Sequence, residues 1–256
     1  MSAVKFTFSF IFLLCALITQ TAHAAIATYN LTVTNNWTLD ANPINYPSDA
    51  HLSWLGGGTH DASQSYWEPG SIATPEFELM AETGVTSDFV NTIAESGGTP
   101  LEWKHWFCQP EIVNSNCGSL SVQFTIDSSQ PLITLVSMLG PSPDWFVGVS
   151  GLSLQEGGNW INNLNVPLAL YDAGTENGTI PIMDNSATDP FAPISLIAYD
   201  AQTGEYLPST EEYIVGAFTF ELVGVSNVPI PASIWLFVSG LVGLVSFRKR
   251  VLQKGQ

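Results

Sequence analysis

Apolar and polar residues alternate with a period of two along several short stretches of the chain. Because successive side chains of a β-strand point to opposite faces, this alternation predicts strands with one buried face. Denser apolar runs predict inner strands that are covered on both sides. The alternating stretches are residues 29–33, 120–126 and 218–222, and the denser runs are residues 132–139, 145–154 and 166–171.

The segments between these runs are rich in Gly, Pro, Asn and Asp, as at Pro141-Ser-Pro-Asp144 and Asn177-Gly178. Such residues favour turns. Amphipathic helical patterns are scarce, and only residues 88–95 favour a short helix. No repeat of 20 to 50 residues is visible. The pattern therefore predicts an all-β fold, an antiparallel β-sandwich.

The C-terminal segment, residues 227–256, has a different character. Val228-Pro229-Ile230-Pro231-Ala232 precedes an apolar run over about residues 232–247, and Arg248, Lys249 and Arg250 follow at once. An apolar run of about one bilayer width before a basic cluster is typical of a transmembrane helix that stops in the membrane. We expect the membrane to be a partner of this tail.

The N-terminal segment, residues 1–24, has the pattern of a secretory signal peptide. Lys5 precedes an uncharged apolar run, and Ala22-His23-Ala24 supplies the small-residue pattern that signal peptidase accepts before Ala25. A first transmembrane helix is a weaker interpretation, because the run is short and ends in polar residues. We expect residues 25–226 to be one exported β-sandwich domain.

Charge is distributed very unevenly. All 23 acidic residues lie between Asp40 and Glu221, and Lys104 is the one basic residue of the expected domain, which gives it a formal net charge of −22. Such a surface repels phosphates, so we expect no nucleic-acid partner. Solubility alone would explain the acidic residues, and a role in binding cations is the alternative.

Two cysteines, Cys108 and Cys117, remain in the expected domain, nine residues apart. Thiols oxidise in exported compartments, so we predict one disulfide between them. A thiolate metal site is the alternative, but it would need further soft or imidazole ligands, and His105 alone is close in sequence.

Several blocks of the domain resemble the spondin domain. Pro141-Ser-Pro-Asp-Trp-Phe-Val-Gly-Val149, Gly158-Asn-Trp160 and Tyr171-Asp-Ala-Gly-Thr-Glu-Asn-Gly178 follow one another in the order and spacing of that family. Upstream, Trp67-Glu-Pro-Gly70 and Ala81-Glu-Thr-Gly84 resemble its first half. The resemblance covers about residues 27–224.

The resemblance implies an eight-stranded, calcium-binding sandwich, similar in shape to calcium-dependent membrane-targeting modules. Animal members of the family occur in extracellular matrix and adhesion proteins. The family's ligand positions fall on Asp144, Asp172 and Glu176. Glu176 departs from the family pattern, which usually has Asp there, and its extra methylene moves the carboxylate by about 1.5 Å. Carboxylates that converge from turns suit calcium, a hard ion that takes six to eight oxygen ligands.

The tail resembles the C-terminal sorting signals that exosortases recognise in bacteria that make extracellular polysaccharide. Val228, Pro229, Pro231 and Ala232 fit its Val-Pro-x-Pro-Ala form, and residues 248–250 fit the basic stop. The resemblance implies export, anchoring, and release or transfer at the cell surface. An ordinary single-span anchor is the alternative.

Evidence for catalysis is weak. Glu76 and Glu78 would share one face of a strand, as a glycosidase carboxylate pair might, but surface acids are the simpler interpretation. His51 and His60 are interpreted as packing or hydrogen-bonding residues. We therefore expect a non-enzymatic protein of the cell surface or polysaccharide matrix, with polysaccharide or a surface protein as partner. An exported polysaccharide hydrolase and a purely structural coat protein are the alternatives.

Tryptophans have two possible uses in this domain, as core residues or as exposed platforms that stack on sugar rings. We expect Trp145 and Trp160 in the core, since both belong to the family blocks. Trp103 and Trp106 are the candidates for an exposed contact surface.

Overall fold

A computed structural model of the chain describes residues 24–108, 120–183 and 185–228. Residues Ile26–Val225 form one compact unit. The strands are β1 (Ala24–Asn35), β2 (His51–Leu52), β3 (Leu55–His60), β4 (Thr99–Trp103), β5 (Phe107–Cys108), β6 (Leu120–Asp127), β7 (Leu132–Gly140), β8 (Trp145–Ser153), β9 (Gln155–Glu156), β10 (Asn159–Trp160), β11 (Asn163–Asp172), β12 (Ser195–Tyr199), β13 (Tyr206–Pro208) and β14 (Ile214–Val228), and the helices are α1 (Pro75–Thr83) and α2 (Ser87–Glu95).

The described strands confirm the all-β, antiparallel prediction. Twelve of them join in one hydrogen-bonded sheet, and eight of these follow a continuous path in the order β4-β3-β7-β8-β11-β14-β1-β6. The short strands β2, β5, β12 and β13 attach to the sides of that path, while β9 and β10 form a separate hairpin. All six segments that the apolar pattern predicted as strands fall on strands, and only residue 154 lies one position beyond the end of its strand, β8.

Strand β11 connects two parts of the sheet. Its first seven residues, 163–169, pair with β14, whereas residues 170–172 pair with β8. A register irregularity between Leu168 and Ala169 marks the change, and such irregularities bend a strand and increase its local twist. The last two residues of β11 also pair with β12. The end of β11 is therefore held by neighbours on both sides.

The main core lies on the inward faces of the paired strands. Tyr29, Leu31 and Val33 on β1 are fully or almost fully buried, as are Phe218 and Phe220 on β14. The intervening residues of β1 are half-buried. The period-two pattern thus corresponds to one buried face on each of these strands.

Helix α1 was not predicted, and it covers a second, smaller core. Thr74 caps its first turn through a hydrogen bond from the Phe77 N–H, and Pro75 occupies the first helical turn. The helix ends at Gly84, whose φ of 73° lies in the left-handed region. Its buried residues pack with Trp67, Phe89 and Phe146. Helix α2 contains the helix predicted for residues 88–95.

No helix within the described ranges is both long and apolar enough to cross a bilayer. The apolar run predicted to do so, residues 232–247, lies outside those ranges, as do the signal segment up to residue 23 and the tail after Val228. The predictions made for them stay predictions.

A buried polar network attaches the loop after β1 to strand β13 and to the segment before β14. The indole N–H of Trp37 donates to the Tyr206 hydroxyl at 2.6 Å. The hydroxyls of Tyr206 and Tyr213 both donate to Oδ1 of Asn42, at 2.8 and 2.7 Å. Asn42 is fully buried. One amide oxygen therefore satisfies one buried and one partly buried hydroxyl, both from a part of the chain distant from Asn42.

We predict that Asn42→Ala lowers the free energy of unfolding by about 2–4 kcal/mol, because the buried hydroxyl of Tyr206 and the partly buried hydroxyl of Tyr213 lose their acceptor. Chemical denaturation of the variant and the parent measures the difference. Asn159→Ala, on the exposed β9–β10 hairpin, is the matched control and should change the stability by less than about 0.5 kcal/mol. Equal stability of the two variants would contradict this account of the network.

Candidate functional site

Asp144 lies in the turn between β7 and β8 and is fully buried. Its Oδ2 accepts hydrogen bonds from the main-chain N–H of Thr175 at 2.6 Å, the Thr175 hydroxyl at 3.2 Å and the N–H of Glu176 at 3.0 Å. The carbonyl oxygen of Asp144 also accepts from the N–H of Ala173 at 3.2 Å. One carboxylate thus joins the β7–β8 turn to the loop that follows β11.

The second oxygen of this carboxylate is in a different situation. Oδ1 of Asp144 is buried and has no hydrogen-bond partner among the described residues. Buried polar atoms almost always have a partner, because leaving one unpaired is unfavourable. A buried carboxylate oxygen with free lone pairs is the donor type that hard cations take. The chemistry of Asp144 therefore fits a cation ligand better than a simple turn cap.

Asp172 is the last residue of β11 and pairs across the sheet with Trp145. Its Oδ1 accepts the N–H of Gly174 at 2.8 Å. Burial, together with the negative charge of Asp144, raises the pKa of Asp172 from 3.8 to about 7. The Trp145 indole lies close enough to oppose this shift, but its N–H does not meet the geometry of a hydrogen bond.

The pKa of Asp144 is also raised, mainly by burial, while its three hydrogen bonds act in the opposite direction. The charge of Glu82, near the end of α1, adds to the increase. The charge of the buried Asp144 thus disfavours the ionised form of its half-buried neighbour Asp172. A nearby positive charge would relieve that repulsion.

The structure places Glu176 in the same loop but in a different role. Its main-chain N–H donates to Asp144, its side chain is half-buried, and it forms an isolated β-bridge with Ala187. Among the described residues, no three His, Cys, Asp or Glu side chains come together closely enough to hold a metal ion. Asp144 and Asp172 lie close enough to interact electrostatically, and the ligand roles of Asp144, Asp172 and Glu176 stay predictions.

The loop after Asp172 needs a glycine. Gly174 has a φ of 76°, and a Cβ atom there would lie 2.2 Å from the carbonyl oxygen of Ala192. The loop is further fixed by hydrogen bonds from the N–H of Ala192 to the Gly174 carbonyl oxygen and from the N–H of Thr188 to the Thr175 carbonyl oxygen, both 2.8 Å. The folded loop therefore already holds the N–H groups of Thr175 and Glu176 where they donate to Asp144.

The carboxylate pair considered for glycoside hydrolysis does not share one face. Glu76 and Glu78 lie in the first turn of α1 rather than on a strand. At 3.6 residues per turn, positions two apart point about 200° apart. The possible strand placement of these two residues is wrong.

The histidines fulfil the packing and hydrogen-bonding roles predicted for them. Nδ1 of His51 lies 2.7 Å from the carbonyl oxygen of Asp49, and its ring stacks on Trp106. Nε2 of His60 lies 2.8 Å from the Thr134 hydroxyl oxygen. Burial lowers the pKa of His51.

The tryptophans divide almost as expected. Trp145 is fully buried, and Trp160 is partly buried against the main core. Of the two candidates for an exposed surface, Trp106 is 38% exposed, whereas Trp103 packs partly against the core. The exposed aromatic surface is thus one ring rather than two.

Cys108 is buried at the end of β5 and pairs across the sheet with His51. Cys117 lies outside the described residues, so its predicted disulfide with Cys108 stays a prediction.

Sequence reasoning missed two contributions to the site. Thr175 supplies both its N–H and its hydroxyl to Asp144, and Glu82 adds negative charge from α1. Thr175 lies between the candidate ligands Asp172 and Glu176, so its position in the sequence was enough to predict that it belongs to the site. The approach of Glu82 depends on how α1 packs, which no local pattern indicates.

Comparison with known proteins agrees with the resemblance of the sequence to the spondin domain. The Spondin_N family model matches residues 27–207. The chain is 32% identical to spondin-2 of Rattus norvegicus over 168 residues and to spondin-2 of Homo sapiens over 169 residues, which cover 64% and 65% of this chain and 51% of each relative. It is also 32% identical to spondin-1 of Homo sapiens over 174 residues, covering 64% of this chain and 21% of that protein. The chain thus spans about half the length of spondin-2 and about a fifth of spondin-1.

The raised pKa of Asp172 predicts a pH-dependent stability in the presence of a chelator. Because the folded-state pKa, about 7, exceeds the ordinary value of 3.8, the fold favours the protonated carboxyl group. This contribution is complete below about pH 4 and is lost as the pH rises through about 7. The melting temperature should therefore fall over this range.

Asp172→Asn should flatten that fall, because the amide does not ionise and still accepts the N–H of Gly174. Glu221→Gln removes a charge from the exposed face of β14 and is the matched control, which should retain the slope of the parent. Thermal melts between pH 4 and pH 8 measure all three proteins. Parallel curves for Asp172→Asn and the parent would exclude Asp172 as the titrating group.

Proposed function

Because this chain belongs to the Spondin_N family, we propose that it is an exported, non-enzymatic, calcium-binding module that attaches to extracellular polysaccharide or to a surface protein. The observation that carries the calcium part is the proximity of an unpartnered, buried Asp144 oxygen to the half-buried carboxylate of Asp172.

The donor set suits calcium by its chemistry. Asp144 and Asp172 supply carboxylate oxygens, the ligand type that hard divalent cations prefer. Calcium accepts a flexible set of six to eight oxygens, whereas magnesium requires near-octahedral geometry. A site made from two loops, in which main-chain carbonyls and water complete the ligand set, favours the larger ion. In this proposal Glu176 completes the set, directly or through a water.

When bound, calcium would supply positive charge between two loops and no catalytic chemistry. Asp144 would keep its three hydrogen bonds through Oδ2 and use Oδ1 toward the ion. Asp172 would become ionised near neutral pH. Because a ligand that binds only the folded state stabilises it, calcium would strengthen the connection between the β7–β8 turn and the loop after β11.

Attachment rather than catalysis is the function that these residues support best. The one carboxylate pair that the sequence offered for hydrolysis, Glu76 and Glu78, lies on a helix and points in two directions. The buried Asp144 and the half-buried Asp172 each accept hydrogen bonds from main-chain N–H groups. The exported region contains 23 acidic residues and one basic residue, so its acidic surface suits contact through a cation or with uncharged groups.

Export and processing are part of the proposal. Signal peptidase would cut between Ala24 and Ala25, where β1 begins. An exosortase would act on the tail that starts near Val228, the last residue of β14. Both sites lie at the edges of the compact unit Ile26–Val225, so their cleavage would leave that unit intact.

We predict that 1 mM calcium raises the melting temperature of the purified protein at pH 7.5 by about 5–10 °C over the chelator-treated sample. This corresponds to about 2.7 kcal/mol of ligand stabilisation when calcium is at 100 times its Kd. Asp172→Asn should lose most of the shift, and Glu221→Gln should keep it. Differential scanning calorimetry measures the three proteins.

Absence of any shift in the parent at millimolar calcium would end the calcium proposal. Glu176→Gln tests the third ligand separately. A reduced shift in this variant supports a role for its carboxylate, and an unchanged shift would restrict the site to Asp144 and Asp172.

The mature protein released from the cell surface should have a mass that begins at Ala25 and ends near Val228. Mass spectrometry of the released form, without reduction or digestion, measures both ends. A mass that includes residues 233–256 would contradict the sorting interpretation and would restore an ordinary membrane anchor.

A further inference from the structure

A cleft of about 550 Å³ lies at the other end of strand β8, away from Asp144. It forms where the loop between β3 and α1 lies against the start of β7. The residues that matter for its chemistry are Gln64, Ser65, Glu68, Pro69, Leu132 and Ser150. Since a strand rises about 3.3 Å per residue, Ser150 lies roughly 20 Å along β8 from Asp144.

A β-bulge shapes one wall of this cleft. Between two register pairs of β7 and β8, Thr134 on β7 faces both Ser150 and Gly151 on β8. Gly151 has a φ of 58°, in the left-handed region that favours glycine. Its N–H donates to the Thr134 hydroxyl at 2.9 Å. Bulges of this kind redirect a side chain and are common beside functional sites.

Ser150, at this bulge, holds the opposite wall of the cleft in place. The hydroxyl of Ser150 donates to the carbonyl oxygen of Trp67 at 2.6 Å. The hydroxyl of Ser71 donates to the carbonyl oxygen of Glu68 at 2.7 Å, and the N–H of Gly70 donates to the carbonyl oxygen of Ile194 at 2.8 Å. The loop is therefore ordered before any ligand arrives, which reduces the entropy lost on binding.

The lining selects the class of ligand. Glu68 and Gln64 offer a carboxylate and an amide, and Ser65 donates its hydroxyl to Oε1 of Glu68 at 2.8 Å. Leu132 and Pro69 add apolar surface. Among the described residues, no Lys or Arg lines the cleft, and the acidic surface of the exported region repels anions. Its volume lies within the usual range for small-molecule sites.

We propose that this cleft binds an uncharged, polyhydroxylated ligand, namely a neutral sugar residue of a polysaccharide. Hydroxyl groups of the sugar donate to Glu68 and exchange hydrogen bonds with Gln64. The C–H face of the ring packs on Leu132 and Pro69. This inference rests on the proposed attachment to polysaccharide and names its contact site, but it does not depend on the calcium site.

The test is titration calorimetry of the purified protein with cellotetraose, maltotetraose and mannotetraose, with tetragalacturonate as the charged comparison. Each titration is run in calcium and in chelator. We expect at least one neutral oligosaccharide to bind with a Kd of about 1 mM or tighter, equally in both buffers. Tetragalacturonate should bind more weakly than that oligosaccharide.

Two variants assign the binding to the cleft. Ala62→Trp changes an exposed residue of the lining and fills the space, so it should weaken binding by more than tenfold. Glu68→Gln removes the charged acceptor but keeps its size, and should weaken binding about tenfold or more. Glu221→Gln is the matched control and should bind like the parent.

The proposal is overturned if no neutral oligosaccharide binds at 10 mM, if tetragalacturonate binds best, or if both cleft variants bind like the parent. Melting temperatures of the variants show whether each remains folded. Sugar binding in chelator without any calcium-induced stabilisation would remove the calcium proposal alone. Calcium-induced stabilisation without sugar binding would remove this inference alone.

Discussion

The carboxylate of Asp144 is the interaction on which this end of the domain depends. Its Oδ2 gathers three donors from Thr175 and Glu176, so two loops that are about 30 residues apart in sequence share one acceptor. Its Oδ1 stays buried and without a partner among the described residues, beside the carboxylate of Asp172. The same residue therefore orders the loops and places unbalanced charge between them. This combination is understandable if the loops are arranged for a cation rather than for maximum stability.

The sheet topology explains why these two acids meet. Strand β11 leaves β14 at the irregularity near Leu168 and pairs with β8 over its last three residues. That pairing sets Asp172 opposite Trp145, the residue next to Asp144. Antiparallel strands bring the end of one beside the start of the other. The position of the site is thus a consequence of the register between β8 and β11.

Local patterns predicted the strands because burial of one face follows from period-two alternation, as on β1 at Tyr29, Leu31 and Val33. Helix α1 was missed although Thr74 and Pro75 are good start signals, because residues 76–79 alternate polar and apolar side chains as a strand would. The hydrogen bonds of Asn42 to Tyr206 and Tyr213 join residues more than 160 positions apart, and no local signal contains them. The candidate ligands came from family resemblance. The N–H of Glu176 as a donor to Asp144 required the folded loop.

The two ends of β8 differ in chemistry for a physical reason. A nearby positive charge would favour the ionised forms of Asp144 and Asp172, whose pKa values are raised mainly by burial. The cleft at Ser150 instead offers neutral polar groups and one carboxylate, Glu68, that lies at the exposed surface. Glu68 is exposed and lies beside Ser150, roughly 20 Å along β8 from Asp144. That distance is more than twice the Debye length of about 8 Å at physiological salt, so solvent screens much of the interaction between Glu68 and the carboxylates near Asp144. Binding at one end therefore has little electrostatic effect on the other, and any coupling between them would have to pass through the paired residues of β8 itself.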